Sequence, residues 1–351
     1  MQPPKQPFYL DVNHAPNFRP FESSSVGLRL RSGDAESLQL LQTLNRSFAS
    51  AFGYTEAQFC DFTPASLSFF IDQSVPDNEP IAFSSKLPYF LHQAGILLEK
   101  SGRSIVWIDA DKEGRLRESS LAHAKEQGAS YLICALVDED TFYKESIEKL
   151  TQYFDRKHLL LDISNALKLE MIPDVYAAFV WGYKTGSFKH SGVFLSHEKS
   201  LNSDMIPYID LTVYEHFYRS YLNFVSESFK DTKMLRDEFI KRVAEALGSN
   251  MTLMINPLST LSNCCYIRFD GIYARDLIRS LALEGIYLTN GELCSLGLSQ
   301  PSRILQTMGY SIEEARESIS FSFGNVTLEE IEYIANKIVH KYRQLRAILV
   351  D

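Results

Sequence analysis

The chain has 351 residues, 45% of them hydrophobic and 23% charged, the balance of an ordinary folded protein rather than a disordered or fibrous one. That length suits one large domain with a smaller one, and no run approaches the roughly 20 apolar residues that a membrane span needs. A net charge of −9 opposes binding to a phosphate backbone, so small molecules and other proteins are the expected partners, not nucleic acid or membrane.

Residues 1–33 are Pro-rich with one strand-like Phe8-Tyr-Leu10 and are expected to form an N-terminal arm. No apolar segment follows Lys5, so a secretory leader is not expected and a cytoplasmic location is. From Asp34, a capping residue, Leu38, Leu41, Leu44, Phe48 and Phe52 keep helical spacing until Gly53. Short apolar runs then alternate with amphipathic ones: Ile81-Ala-Phe83, Ile105-Val-Trp-Ile108, Tyr131 to Val137, Leu159-Leu-Leu161, Tyr176 to Trp181 and Val193-Phe-Leu195. Such alternation predicts an α/β fold, a mostly parallel mixed sheet between helices, over residues 34–225. Beyond it, residues 226–351 are expected to form a smaller C-terminal α+β domain. A helical stretch runs from about Asp204 to Leu247, Tyr266 to Phe269 reads as a strand and Ala274 to Leu283 as a helix. Ser318 to Phe323 alternates as a half-buried strand, and Thr327-Leu-Glu-Glu330 is a capping box opening the last helix.

Five cysteines without CxxC spacing exclude both a disulfide framework and a zinc site, and no metal is expected. The chemistry points to two residues at strand ends. In parallel sheets ligands sit beyond the carboxyl ends of the strands, where Asp162 and, 22 residues on, Lys184 both fall. A lysine that bonds an aldehyde and a carboxylate that keeps a pyridine nitrogen protonated are what a pyridoxal cofactor requires. The same residues also suit a helix cap and a solvated loop lysine, so spacing alone does not decide.

Longer motifs add to this. Tyr9-Leu-Asp-Val-Asn-His-Ala15, Trp107 to Gly114, Asp162-Ile-Ser-Asn165, Gly182-Tyr-Lys184 with Lys189-His-Ser-Gly192, Asn290 to Gly297, Pro301 to Gly309 and Glu314 to Gly324 follow one another in the order and wording of a known family. The chain resembles the cysteine desulfurases, in the class V aminotransferase group of fold-type I pyridoxal-phosphate enzymes, in a diverged form. The resemblance implies pyridoxal 5'-phosphate as cofactor, Lys184 as its covalent partner, and Asp162 and Asn165 against its ring. It implies a homodimer that acts on a small amino acid, taking sulfur from L-cysteine to give alanine and a persulfide on Cys294, with a protein as possible sulfur acceptor. Tyr89, in Ser84-Ser-Lys-Leu-Pro-Tyr89, stands at the family's ring-stacking His and is read either as a stacking ring or as a core tyrosine. Tyr183 replaces the His before the lysine.

Departures from the family pattern open a second reading. The phosphate loop corresponds to Thr63-Pro-Ala-Ser-Leu-Ser68, where Leu67 replaces a phosphate-binding Thr and Ser66 or Ser68 is the substitute. Trp181 replaces a Ser two residues before Tyr183. Asp138-Glu-Asp140 stands near the family's N-N-E, where a carboxylate would repel an ionised ring oxygen. Ser320 replaces the Arg that clamps the substrate carboxylate, a loss of about 2 to 5 kcal/mol unless another cation, Arg303 or Arg268, takes over. The alternatives are a homologue with a binding or regulatory role, and an aminotransferase or lyase acting on another amino acid.

Overall fold

A strand with no polar residue, such as Tyr131–Ala135, cannot lie in a sheet that has one wet face; it needs cover on both sides. The computed structural model provides that cover; it describes residues 7–13, 35–167, 172–197, 211–226, 232–291 and 300–350. In chain order these begin with β1 (Phe8–Tyr9), α1 (Ala35–Phe52), β2 (Glu56–Asp61), α2 (Pro64–Ser74), β3 (Ile81–Ser84), α3 (Tyr89–Lys100) and β4 (Ile105–Ile108). They continue with α4 (Glu118–Glu126), β5 (Tyr131–Ala135), α5 (Ile147–Leu150), β6 (Leu159–Asp162), β7 (Ala177–Trp181), β8 (Ser191–Ser196) and α6 (Leu211–Ser226). The C-terminal part comprises α7 (Thr232–Leu247), β9 (Met251–Leu253), β10 (Cys264–Phe269), α8 (Ala274–Ala282), β11 (Ile286–Tyr287), α9 (Arg303–Thr307), α10 (Ile312–Arg316), β12 (Ser318–Ser322) and α11 (Leu328–Val350).

Seven strands form the main sheet in the order β2-β8-β7-β6-β5-β3-β4. β4, β3, β5, β6 and β7 are mutually parallel, and β8 runs antiparallel to both β7 and β2, so the sheet is mixed but mostly parallel as expected. One face packs on α1 and α6 through Leu41, Leu44, Phe48 and Phe217, and the other on α2 and α3 through Phe70, Ile71, Leu91 and Ala94. α1 stops where it was expected to, at Gly53, whose φ of 76° a residue with a side chain rarely adopts.

β9, β10 and β12 form a second, antiparallel sheet in the order β12-β10-β9. α7, α8 and α11 cover it around Phe239, Leu277, Ile319, Phe321 and Ile334. The capping box at α11 is present, with Glu330 accepting from the Thr327 N–H at 2.7 Å and Thr327 from the Glu330 N–H at 3.3 Å. The described part of the expected helical stretch before Leu247 consists of α6 and α7. One expectation changes: β12 is buried throughout rather than half-buried. Ile319 and Phe321 enter the apolar cluster as the alternation implies, but Ser318, Ser320 and Ser322 on the other face are also covered, each hydroxyl being hydrogen-bonded. Among the described residues no helix is long and apolar enough to cross a membrane.

β1 does not join the main sheet. It pairs in parallel with β11, Leu10 enters the apolar cluster of the second sheet, and Asp11 bridges to Ser322. This delivers the backbone of Asn13 to the carboxyl end of the main sheet, where its N–H bonds Ser322 Oγ at 3.0 Å.

Candidate active site

β6 ends on Asp162 and β7 on Trp181, neighbouring parallel strands whose carboxyl ends open on the same side. After β7 a single tight turn, Gly182–Thr185, carries Lys184, and Gly186 in the left-handed region (φ 83°) closes it. Gly182 is needed there because a Cβ would stand 2.1 Å from Ser191 Oγ. Lys184 and Asp162 are 5% and 3% exposed. A buried ammonium requires a partner, and Lys184 has two: Nζ donates to the Glu139 carboxylate at 2.6 Å and to the Asn13 carbonyl at 2.6 Å. Glu139, 1% exposed, also accepts from Asn165 Nδ2 at 3.0 Å and from the Tyr183 hydroxyl at 3.1 Å. Three expected residues, Lys184, Asn165 and Tyr183, thus converge on one carboxylate.

The turn that presents Glu139 is itself pinned. Asp138 Oδ1 accepts from the backbone N–H of Thr141 at 2.7 Å and of Asp140 at 3.2 Å. Lys86, buried as well, ties the turn down through Glu145 at 2.7 Å and Asp138 at 3.5 Å. Asp162 Oδ1 accepts from the Ser164 N–H at 2.9 Å. Burial pushes the Asp162 carboxyl up to about 6; the Ser164 hydrogen bonds and the positive charge of Lys184 pull it down, while Glu139 adds to the rise.

An aromatic row leads away from the lysine. Tyr183 lies under Lys184 Nζ at 4.9 Å from the ring centre, Trp181 is 6.1 Å from Tyr183, Phe90 is 5.7 Å from Trp181, and Tyr89 is 5.8 Å from Phe90. Tyr89 is half-buried at the start of α3. Trp181 also meets Phe62 edge to face at 4.7 Å, and its indole N–H is buried with no acceptor among the described residues.

Other expectations are corrected. Ser66 closes a capping box at the start of α2: its N–H bonds Thr63 Oγ1 at 3.1 Å, and its hydroxyl serves the Thr63 N–H at 2.9 Å and the Asp61 carbonyl at 2.5 Å. Ser68 bonds the Ala65 carbonyl at 2.8 Å. Through these bonds both serines hold the start of the helix. Arg268 is held by Glu317 at 2.6 Å, Asp270 at 2.8 Å and Glu314 at 3.6 Å, and Arg303 donates to the carbonyls of Ser85 and Leu87, so neither guanidinium serves as the missing clamp. Ser320 Oγ bonds the Asp140 carbonyl at 3.1 Å. Cys294 lies outside the described residues. The sequence motifs contained Asn13 and Glu139, but nothing in residue type showed that both would meet the lysine; a carboxylate aligned with the family's ring-contacting amides was the available signal.

No protein-family model matches the chain. It is 27% identical over 157 residues to the cysteine desulfurase IscS of Stutzerimonas stutzeri (strain A1501), covering 43% of this chain and 37% of that protein. It is 33% identical over 119 residues to the cysteine desulfurase IscS of Pseudomonas fluorescens (strain Pf0-1), covering 33% of this chain and 28% of that protein. The matched segments thus span 37% and 28% of these relatives' own lengths. Structural likeness reaches further: a NifS-like protein superposes with a TM-score of 0.76 at 14% identity over 97% of this chain and 100% of its own. The NifS-like protein from Rickettsia africae ESF-5 gives 0.75 at 17% identity, over 96% of this chain and 100% of its own. The cysteine desulfurase CsdA from Escherichia coli gives 0.70 at 12% identity, over 97% of this chain and 95% of its own. Over nearly its whole length, then, this chain carries the fold of these NifS-like and cysteine desulfurase structures, in a sequence that has diverged from theirs.

Proposed function

We propose that the chain is a pyridoxal-phosphate enzyme of the cysteine desulfurase kind. In this reading it acts as a homodimer in the cytoplasm, takes sulfur from L-cysteine to give alanine and a Cys294 persulfide, and hands the sulfur to an acceptor protein. The observation that carries the reading is the burial of Lys184 and Asp162 together at the ends of adjacent parallel strands, in a fold shared with cysteine desulfurases.

The residues present suit the cofactor. The buried amine of Lys184 is its covalent partner, and Asp162 is the carboxylate that would hold a proton on the ring nitrogen. Asn165 and Tyr183 are polar contacts on the same side, and Tyr89 is a ring face within the aromatic row. The indole N–H of Trp181 is an open donor at the position where the family has a phosphate-binding Ser. When bound, the cofactor draws electrons from the substrate's α-carbon. Asp162 serves that end because its negative charge, costly in isolation, is matched by a ring N–H⁺. Cys60, Cys134, Cys264 and Cys265 are buried and burial pushes their thiols up, which makes them poor nucleophiles and supports assigning the sulfur-carrying thiolate to Cys294.

A specific observation favours a second reading, that of a binding or regulatory protein without turnover. Phe62 and Leu67, both fully buried, pack with Trp181 at the start of α2, and Arg268 and Arg303 are each engaged elsewhere than beside Ser320. One experiment separates the readings. The purified protein with added pyridoxal phosphate should show the visible absorbance of a lysine-bound cofactor, absent from Lys184→Ala. L-Cysteine should then yield alanine and a persulfide that Cys294→Ser abolishes. No band in the wild type would refute the enzyme reading; alanine formed equally well by Cys294→Ser would refute the role of Cys294.

A further inference from the structure

We infer that Glu139 is a positioning residue that latches Lys184 as an ammonium, a latch that in the wild type opens by passing the proton to Glu139 and that removal of the carboxylate abolishes; the inference rests on the pyridoxal-phosphate reading above. A lysine bonds an aldehyde only as the neutral amine, because the ammonium has no lone pair. Here the ammonium form is held by a carboxylate and a carbonyl, both at 2.6 Å, in a place that water scarcely reaches.

Breaking such a pair by removing one member leaves the other charge buried and uncompensated. Transfer within the pair avoids this: the proton leaves Lys184 Nζ for Glu139 Oε1, giving a neutral amine and a neutral carboxylic acid, with no net change of charge. The acid form also removes a conflict. An ionised Glu139 would repel a ring oxygen that carries negative charge, whereas a protonated Glu139 donates a hydrogen bond to it. Asn165 Nδ2 and the Tyr183 hydroxyl donate to Glu139 at 3.0 and 3.1 Å and hold its carboxylate against the lysine. Lys184 itself is faced by Glu139, by the Asn13 carbonyl, by the Tyr183 ring at 4.9 Å and by the charge of Asp162.

Glu139→Gln keeps the shape of the side chain and cannot receive the proton. Its Lys184 has lost the carboxylate that faces it at 2.6 Å and with it the latch. The test is borohydride trapping of pyridoxal phosphate on the full chain, with the modified lysine counted by mass spectrometry across a pH series. Relative to wild type, Glu139→Gln should reach half-maximal labelling of Lys184 at a pyridoxal phosphate concentration at least tenfold lower at neutral pH, and its pH profile should move downward by about one unit. Glu139→Asp, which retains an acid, should stay with the wild type, and Glu139→Asn carries the Gln prediction should that variant not fold. A purely structural Glu139 would alter thermal unfolding without moving the pH profile. Equal labelling and coincident profiles in wild type and Glu139→Gln would overturn the latch while leaving the cofactor reading intact. Absence of label on Lys184 in every variant would overturn both.

Discussion

Asp162 sits in an environment that works against stability at neutral pH. In the unfolded chain its carboxyl titrates near the ordinary 3.8, and in the fold burial raises it to about 6. Between those values the folded chain holds a proton that the unfolded chain has released. The stability this gives is complete below about pH 4 and is lost as pH rises through 6, a loss of about 3 kcal/mol. Asp162→Asn keeps the acceptor for the Ser164 N–H and removes the titration. In the chain without added cofactor it should be more stable than wild type by up to about 3 kcal/mol at pH 8, with the two converging near pH 4, as denaturant unfolding at the two pH values will show. A variant no more stable at pH 8 than wild type would contradict the burial argument. Such a penalty is characteristic of a group kept for chemistry. At this scale the sequence disclosed Asp162, Asn165, Tyr183 and Lys184 as neighbours, because strand order fixes strand ends. It did not disclose Glu139 as the hub, because which of three consecutive acids faces the lysine depends on the turn that Asp138 and Lys86 pin.

Elements were legible where periodicity was strong. The six apolar runs between Ile81 and Leu195 are the strands β3 to β8, and α1, α8 and α11 begin within two residues of their expected starts. β2 carries no strand signal in Glu56-Ala-Gln-Phe-Cys-Asp61, which lacks both a β-branched run and clean alternation, and its place at the sheet edge comes from pairing with β8. The start of α2 coincides with the segment that aligns with the family's phosphate loop, Thr63 to Ser68, and there Thr63 with Pro64 and Ser66 makes a capping box. The junction of β2, α2 and β8 depends on Gly192: a Cβ there would stand 2.5 Å from the Phe62 ring, which is wedged against Trp181. Gly192→Ala should therefore displace Phe62 and destabilise the fold by about 1 to 3 kcal/mol, measured by urea unfolding. Gly192→Ala paired with Phe62→Leu should recover part of the loss; failure to recover any would mean that the ring is not what the new methyl meets.

For the whole molecule the main question is how the C-terminal part is fixed over the end of the main sheet, since Cys294 belongs to that part of the sequence. Helical and strand periodicity could not answer it, because the ties are polar and distant in sequence. Arg303, on α9, reaches the Ser85 and Leu87 carbonyls just beyond β3, and Ser302 Oγ donates to Asp140 Oδ2 at 2.5 Å. Ser320 on β12 reaches the Asp140 carbonyl, so the acidic turn after β5 is held from two sides by the C-terminal part. Removing the guanidinium leaves two carbonyls without their charged donor, a cost of about 3 kcal/mol. Arg303→Met preserves much of the side-chain volume and isolates that loss. Because both sheets keep their own apolar clusters, the damage should be local. Hydrogen exchange should accelerate in residues 300–324 and 84–90 of the variant while β5, β6 and β7 stay protected. Acceleration spread evenly over both sheets would instead make Arg303 a contributor to global stability rather than the tie that seats the C-terminal part on the lysine site.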